Sequence, residues 1–238
     1  MVTFDEAWQI ADGIEGWLLK EQGRALFEAA HSLAPGTRAV EIGSHRGKSA
    51  TLIALGLPPA ARLTAVDPFD DPRWGGGPES LAAFNANLTA AGVNERVDLF
   101  KGLSEEASAT WSEEPVGFLW VDGAHDVTST LKDFDGWLPH LARGARLYVH
   151  DAFSAVGTTH AIFRRFFFAR NVRFVGSVRS LAMFEVGPVS IVGRTRSALT
   201  LIARLGFFAR MIAIKLARRS GHPRLERRLM TTDNEPLI

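Results

Sequence analysis

Apolar positions recur at helical spacing over residues 4 to 34, where Phe4, Ala7, Trp8, Ile14, Trp17, Leu18, Leu26 and Phe27 make one stripe. Gly13 and Gly16 interrupt it, so the stretch predicts two helices. The period then changes. TRAVEIG is a short apolar run ending at Glu41 and Gly43, and KSATLIALGL is helical up to Gly56 and the Pro58-Pro59 pair. The same alternation repeats: strand ARLTAVD, helix ESLAAFNANLTAAG closed by Gly92, strand RVDLFKG, short helix LSEEASATW. VGFLWVDG follows with almost no polar alternation, which predicts a strand covered on both faces. DVTSTLKDFDGWLPHL, ARLYVHDAF and HAIFRRFFFAR read as helix, strand and helix. VRFVGS and SLAMFEVG, separated by a turn around Ser177 to Ser180, close the series as an antiparallel edge hairpin.

Strands that alternate with helices predict an α/β fold with a doubly wound, mostly parallel seven-stranded sheet. A chain of 238 residues fills one such domain with an extension left over. Hydrophobic residues at 46% and charged residues at 22% fit a globular protein and exclude general disorder. The absence of cysteine excludes disulfides and thiolate metal sites. The first thirty residues carry acids and lack an apolar leader, so a cytoplasmic location is expected.

Charge divides the chain at Pro188. Residues 1–187 hold 17 basic and 23 acidic side chains, net −6, whereas residues 188–238 hold 10 and 3, net +7. The expected organisation is a domain over 1–187 and a basic helical extension over 188–238. Residues 198–217 are nearly long enough to cross a bilayer, but Arg204, Arg210 and Lys215 interrupt them, which argues against a span. On a helical wheel the cations share half the circumference with Phe207, Met211 and Ile214, an incomplete amphipathic pattern. Packing on the domain or dimerisation is the first expectation for this helix and attachment to an anionic membrane the second. Nucleic acid is not expected as a partner, because the body is acidic.

In an open α/β sheet a ligand sits beyond the carboxyl ends of the strands, so the residues after each strand carry the functional question. After the first strand, VEIGSHRGKS fails two phosphate-binding patterns. Gly43 and Gly47-Lys48-Ser49 leave a P-loop one residue short, and His45 stands where the dinucleotide fingerprint needs glycine. An acid two residues before Gly43, namely Glu41, and a second acid, Asp67, ending the next strand fit better. A carboxylate suits a diol because both oxygens accept hydrogen bonds, although Asp67 before Pro68 also fits a plain turn cap. Asp122 and Asp151 end the fourth and fifth predicted strands, where two carboxylates can share a divalent cation. His125 follows Asp122 by three residues, and a helix-start role competes with a chemical one there.

Together GWLLKEQGRALFEAA, VEIGSHRGKSA and VDGAHDVTSTLKDFDGWLPHLARGARLYVHD resemble the family-24 branch of class I S-adenosylmethionine-dependent methyltransferases, over about residues 10 to 187. That branch is akin to macrocin-type, metal-dependent sugar O-methyltransferases. The resemblance implies S-adenosylmethionine as donor, with Glu41, Gly43, Ser44, Ser49, Asp67, Gly102, Ser104 and Asp122 around it. It also implies a divalent metal, magnesium by expectation, on Asp122, His150 and Asp151, with His125 and Asp122 as the catalytic pair. His150 departs from the family, where an acid is common, and imidazole suits zinc or manganese better than magnesium. Ser104 doubles as a helix cap, and PFDDPRWGGGPE, with hinges at Gly75 to Gly77 and a large aromatic at Trp74, reads equally as a lid over the acceptor or as a plain surface loop. The implied acceptor is a sugar or oligosaccharide hydroxyl, with a methylated-mannose polysaccharide precursor as one instance, and the implied assembly is a homodimer. A catechol-like acceptor at the same metal, or a non-catalytic scaffold working through its basic tail, are the rival functions.

Overall fold

A computed structural model of the chain describes residues 2–70 and 76–230. Seven strands form one sheet in the order β3-β2-β1-β4-β5-β7-β6: β1 Arg38–Ile42, β2 Leu63–Val66, β3 Val97–Phe100, β4 Val116–Val121, β5 Leu141–Val149, β6 Val172–Val178 and β7 Leu181–Val186. The first five run parallel, and β7 lies antiparallel between β5 and the edge strand β6. The fold is therefore the doubly wound, mostly parallel sheet with an antiparallel edge hairpin that the pattern predicts.

Alternation within the apolar strands explains why both faces are covered. Ala39, Leu63, Ala65, Phe118 and Trp120 point to one side, against α1 Phe4–Asp12, α2 Lys20–His31 and α3 Lys48–Gly56. Val40, Ile42, Val66, Leu119, Val121, Leu147 and Val149 point to the other, where α6 Val127–Trp137 and α7 Val156–Phe166 pack. Helices α4 Pro78–Ala90 and α5 Ser104–Ala109 complete the crossovers.

The extension holds α8 Ile191–Ala203, α9 Leu205–Arg219 and α10 Pro223–Leu229. Helix α8 starts seven residues earlier than the apolar stretch suggests, because Ser190 caps it through Gly193 N–H at 3.1 Å. Ser197 Oγ on α8 accepts from Phe174 N–H of edge strand β6 at 2.9 Å, and this covers an edge that would otherwise offer itself for pairing.

Three local expectations change. Ser104 does not cap α5: Leu103 occupies the cap position, its N–H donating to Glu106 at 3.0 Å, while Ser104 Oγ accepts from Trp137 Nε1 at 3.0 Å. Helix α6 stops at Trp137, since Pro139 breaks the helix, and a 3-10 turn Leu138–His140 leads directly into β5. Trp17, placed by periodicity in the apolar stripe, is exposed and lies against the His45 ring, centroids 5.3 Å apart.

Candidate functional site

The register aligns the strand ends. Ile42 pairs with Val66 and Val121, and Val121 with Val149, so the next residues, Asp67, Gly43, Asp122 and His150, form a row across β2-β1-β4-β5. At the usual strand spacing that row is about 14 Å long. It straddles the β1/β4 switch point, where the connections leave in opposite directions. Backbone bonds continue the ladder past the strands and fix it: Gly43 N–H to Val66 O, Asp122 N–H to Ile42 O and His150 N–H to Val121 O, all at 2.8 to 2.9 Å.

Gly43 has to be glycine. Its φ is +85°, and a Cβ there would overlap the Asp122 carbonyl. Side-chain-bearing residues also enter left-handed backbone at this rim: His45, Phe69, His125 and Asp151 have φ of 46°, 54°, 58° and 49°. Only Arg179, in the β6–β7 turn, shares that conformation elsewhere among the described non-glycine residues. Strain of this kind costs on the order of 1–3 kcal/mol per residue and persists where surrounding structure imposes it.

Asp67 is deeply engaged. Its Oδ2 accepts from Ser44 N–H at 2.8 Å and His45 N–H at 2.9 Å, and its Oδ1 from Phe69 N–H at 2.7 Å. Three of roughly four acceptor positions on the carboxylate are thus used, two to hold the glycine turn and one to hold the loop that follows β2. Glu41 lies beneath that turn, fully buried. Ser44 Oγ donates to its Oε2 at 2.7 Å, while Oε1 has no hydrogen-bond partner. Burial pushes its pKa up to about 8, against the pull of the Ser44 and Ser49 hydroxyls and with help from the charges of Asp122 and Asp67.

Across the row, His150 Nδ1 sits 2.9 Å from Asp122 Oδ1. Burial draws the His150 pKa down, but the charge and hydrogen bond of Asp122, joined by the charge of Asp151, outweigh it and raise the pKa to about 9. Its Nε2 is buried without a hydrogen-bond partner. His125 Nε2 lies between the acids, 3.6 Å from Asp122 Oδ1 and 3.9 Å from Asp151 Oδ2. Asp126, the next residue, caps α6 by accepting from Thr128 and Ser129 N–H, and Gly157 of α7 packs so tightly on the His125 carbonyl that a Cβ would overlap it. The His125 turn is therefore wedged between two helix starts.

Asp151 has its own supports. Ser154 Oγ donates to Oδ1 at 2.6 Å, and Lys215 Nζ of α9 donates to Ser154 O at 2.8 Å. Although burial raises its pKa, the charges of His150 and His125, the Ser154 bond and the Lys215 charge prevail and lower it. Neither Ser154 nor Lys215 carries a local signal in the sequence; they lie 61 residues apart and meet only in the fold.

Gly102 and Ser104 follow β3 at the far end of the rim, behind which α6 places Asp133. Buried beside Ser104, Asp133 has its pKa raised to about 6 by desolvation, opposed by the Ser104 hydrogen bond. Sequence reasoning passed over Asp133, since one acid within an amphipathic helix gives no signal. The 71–75 part of the expected lid, Trp74 included, lies outside the described residues.

Three ligand-type atoms, from Asp122, His125 and His150, lie within 4.8 Å of one another. This set differs from the expected Asp122, His150 and Asp151, with His125 in place of Asp151. Two imidazoles and one carboxylate suit a transition ion better than magnesium. His150 would have to lose its proton to become a ligand.

Charge at the opposite rim contrasts with this. There Arg38 and Arg62 pair with Asp98 at 2.7 and 2.6 Å, and Arg38 also with Glu113 and Glu114. The acids at the carboxyl ends instead face histidines, serines and backbone N–H groups, none of which neutralises them permanently.

A family model described as a methyltransferase domain, of family 24, matches residues 40–152, the span from β1 to the turn after β5. Solved structures share the fold. The O-methyltransferase TomG from Streptomyces achromogenes, involved in tomaymycin synthesis and in complex with SAM, matches with TM-score 0.57 and 18% identity over 77% of this chain and 89% of that one. An O-methyltransferase from Bacillus cereus in complex with SAH matches with TM-score 0.58 and 19% identity over 77% and 90%. A cofactor-bound protein from MTB matches with TM-score 0.60 and 19% identity over 76% and 87%.

Proposed function

We propose that this chain is a class I S-adenosylmethionine-dependent methyltransferase, a reading supported by the methyltransferase-domain match over residues 40–152 and by the shared fold, and that it methylates a hydroxyl oxygen, with a saccharide as the acceptor class. The observation that carries the reading is the single row of Asp67, Gly43, Asp122 and His150, with His125 poised beside it.

The residues present fit the donor. The turn from Gly43 to Gly47 leads into α3, so the helix N-terminus and the close-approaching backbone face the region beyond β1. Glu41 holds an unused acceptor atom under that turn. Asp67 keeps the turn in place and retains limited acceptor capacity for a ribose hydroxyl. Ser44 and Ser49 flank Glu41, and Gly102 and Ser104 border the far side, where the adenine is expected. When bound, the donor supplies an electrophilic methyl group on a sulfonium.

A neutral hydroxyl attacks such a methyl poorly, so removal of its proton is where the protein contributes. His125 Nε2 is the acceptor for that proton. Asp122 and Asp151 on either side orient the ring, and the wedged backbone holds it at the rim. Fixing donor and acceptor at neighbouring strand ends provides alignment, which in oriented reactions replaces much of the entropic barrier.

One observation favours a metal-assisted variant: the cluster of Asp122, His125 and His150 atoms. These three residues would hold the ion, which would supply a lowered acceptor pKa, and His125 would then be a ligand rather than the base.

Calorimetry with S-adenosylhomocysteine tests donor binding, and transfer of a labelled methyl group to saccharide and catechol panels tests the acceptor. Binding of S-adenosylhomocysteine without added metal and turnover that survives EDTA support the His125 base. Loss of turnover in EDTA, restored by manganese or zinc, supports the metal variant. Absence of S-adenosylhomocysteine binding refutes both.

A further inference from the structure

From Ile191 to Arg219 the chain is apolar enough to cross a membrane, with mean hydropathy 1.6 over its best window, yet only 28% of that window is buried. It does not span. The run is divided at Arg204 between α8 and α9; Leu201 of α8 enters the core and Phe208 of α9 packs against it, while Met211, Ile214 and Ala217 of α9 are buried. Phe207 also packs on the core, which accounts for the mixed helical wheel.

What remains outside is apolar. On α8, Ile191, Val192, Leu199 and Ile202 are 67%, 78%, 62% and 45% exposed. At 100° per residue they fall within about a third of the circumference. On α9, Leu205 and Leu216 repeat the pattern, 40% and 59% exposed. Exposed apolar side chains gathered on one helix face in this way mark an interaction surface.

Charge selects the partner. Between Ser190 and His222 there are seven cations and no acid. Arg204 and Lys215 turn back onto the body, bonding Arg179 O and Ser154 O at 2.8 Å, but Arg196 and Arg219 stay exposed at the margins of the apolar faces. In a two-fold contact the same cations would meet their own copies, which opposes association. An anionic lipid surface accepts both features at once, with side chains entering the acyl boundary and arginines meeting headgroups.

We propose that α8 and the outer face of α9 dock this chain on an anionic membrane surface. Lys215 ties α9 to Ser154, and Ser154 bonds Asp151, so the helix that carries part of the docked face is anchored beside the residue at the end of the acceptor rim. An acceptor presented at the lipid surface follows from that placement, and this last step rests on the proposed function, whereas the docking does not.

The test is sedimentation of the full chain with phosphatidylcholine vesicles, with and without phosphatidylglycerol. The expected result is pelleting with the anionic vesicles only, reversed by high salt. Leu199→Asp with Ile202→Asp should lower partitioning roughly tenfold or more, and Arg196→Glu roughly fivefold, with thermal melting unchanged because all three side chains are exposed. Equal pelleting on neutral vesicles, or no effect of any variant, overturns the proposal. Absence of pelleting together with a dimer in light scattering, broken by the Leu199→Asp and Ile202→Asp pair, assigns the face to a second copy instead.

Discussion

Glu41→Gln separates a buried neutral acid from a buried charge. In the folded chain Glu41 has a pKa of about 8, against an ordinary 4.5. Between those values the unfolded chain has released a proton that the folded chain keeps, so stability falls as pH rises, by at most about 1.4 kcal/mol per pH unit. The stabilisation is complete below the ordinary value and exhausted once the pH passes the folded one. From pH 5 to pH 8 the loss comes to about 4 kcal/mol. Glutamine resembles the protonated acid, with a carbonyl for Ser44 and a donor in place of the carboxyl proton, and it does not titrate. The difference in stability between Glu41→Gln and wild type should therefore grow in favour of the variant across that window. In a domain of this size the growth is roughly 10 °C in melting temperature. Thermal denaturation of both proteins without donor, at half-unit steps of pH, reads it directly. His150, which also titrates above its ordinary range, contributes equally to both proteins and cancels. Parallel curves would refute the reasoning, because they would mean that Glu41 folds as a carboxylate with partners for both oxygens.

Gly43→Ala should abolish S-adenosylhomocysteine binding in calorimetry and lower stability by roughly 1–3 kcal/mol, since the new Cβ must displace the Asp122 carbonyl from left-handed backbone. His125→Gln should reduce methyl transfer by about 10²-fold or more while leaving S-adenosylhomocysteine affinity within twofold, roughly the range for loss of a general base. Asp122→Asn removes the negative charge that holds His150 protonated and leaves only an uncharged amide oxygen as acceptor. A proton NMR titration should then show the His150 pKa falling from about 9 toward or below the ordinary histidine range, and turnover should fall with it.

Strand ends were legible because their signals are local. VGFLWVDG lacks alternation, and β4 proves buried on both faces; the acids at 41, 67, 122 and 151 follow apolar runs, and the parallel register then brings their positions together. The competing accounts of Asp67 were not separable by sequence, because a turn cap and a ribose ligand need the same residue in the same place. In the structure the cap is visible, with three backbone N–H groups on one carboxylate. His45 showed a different limit. Its side chain argued against a dinucleotide turn, yet its backbone adopts the left-handed conformation that glycine would favour, imposed by Asp67 from another strand. Ser154, Lys215 and Asp133 were silent because their roles depend on contacts across long sequence separations.

Four acids on one rim would repel one another if all were charged and bare, and the structure gives each a different environment. Glu41 is buried and held neutral; Asp67 is covered by backbone donors; Asp122 has His150; and Asp151 has Ser154, with His125 and Lys215 nearby. The consequence is a gradient along the row. At the donor end the acids are neutral or capped by N–H groups, which suits a nucleoside with hydroxyls and a zwitterionic tail. Toward the proposed acceptor end, Asp122 and Asp151 lie among two imidazoles, which suits a group that must take up a proton.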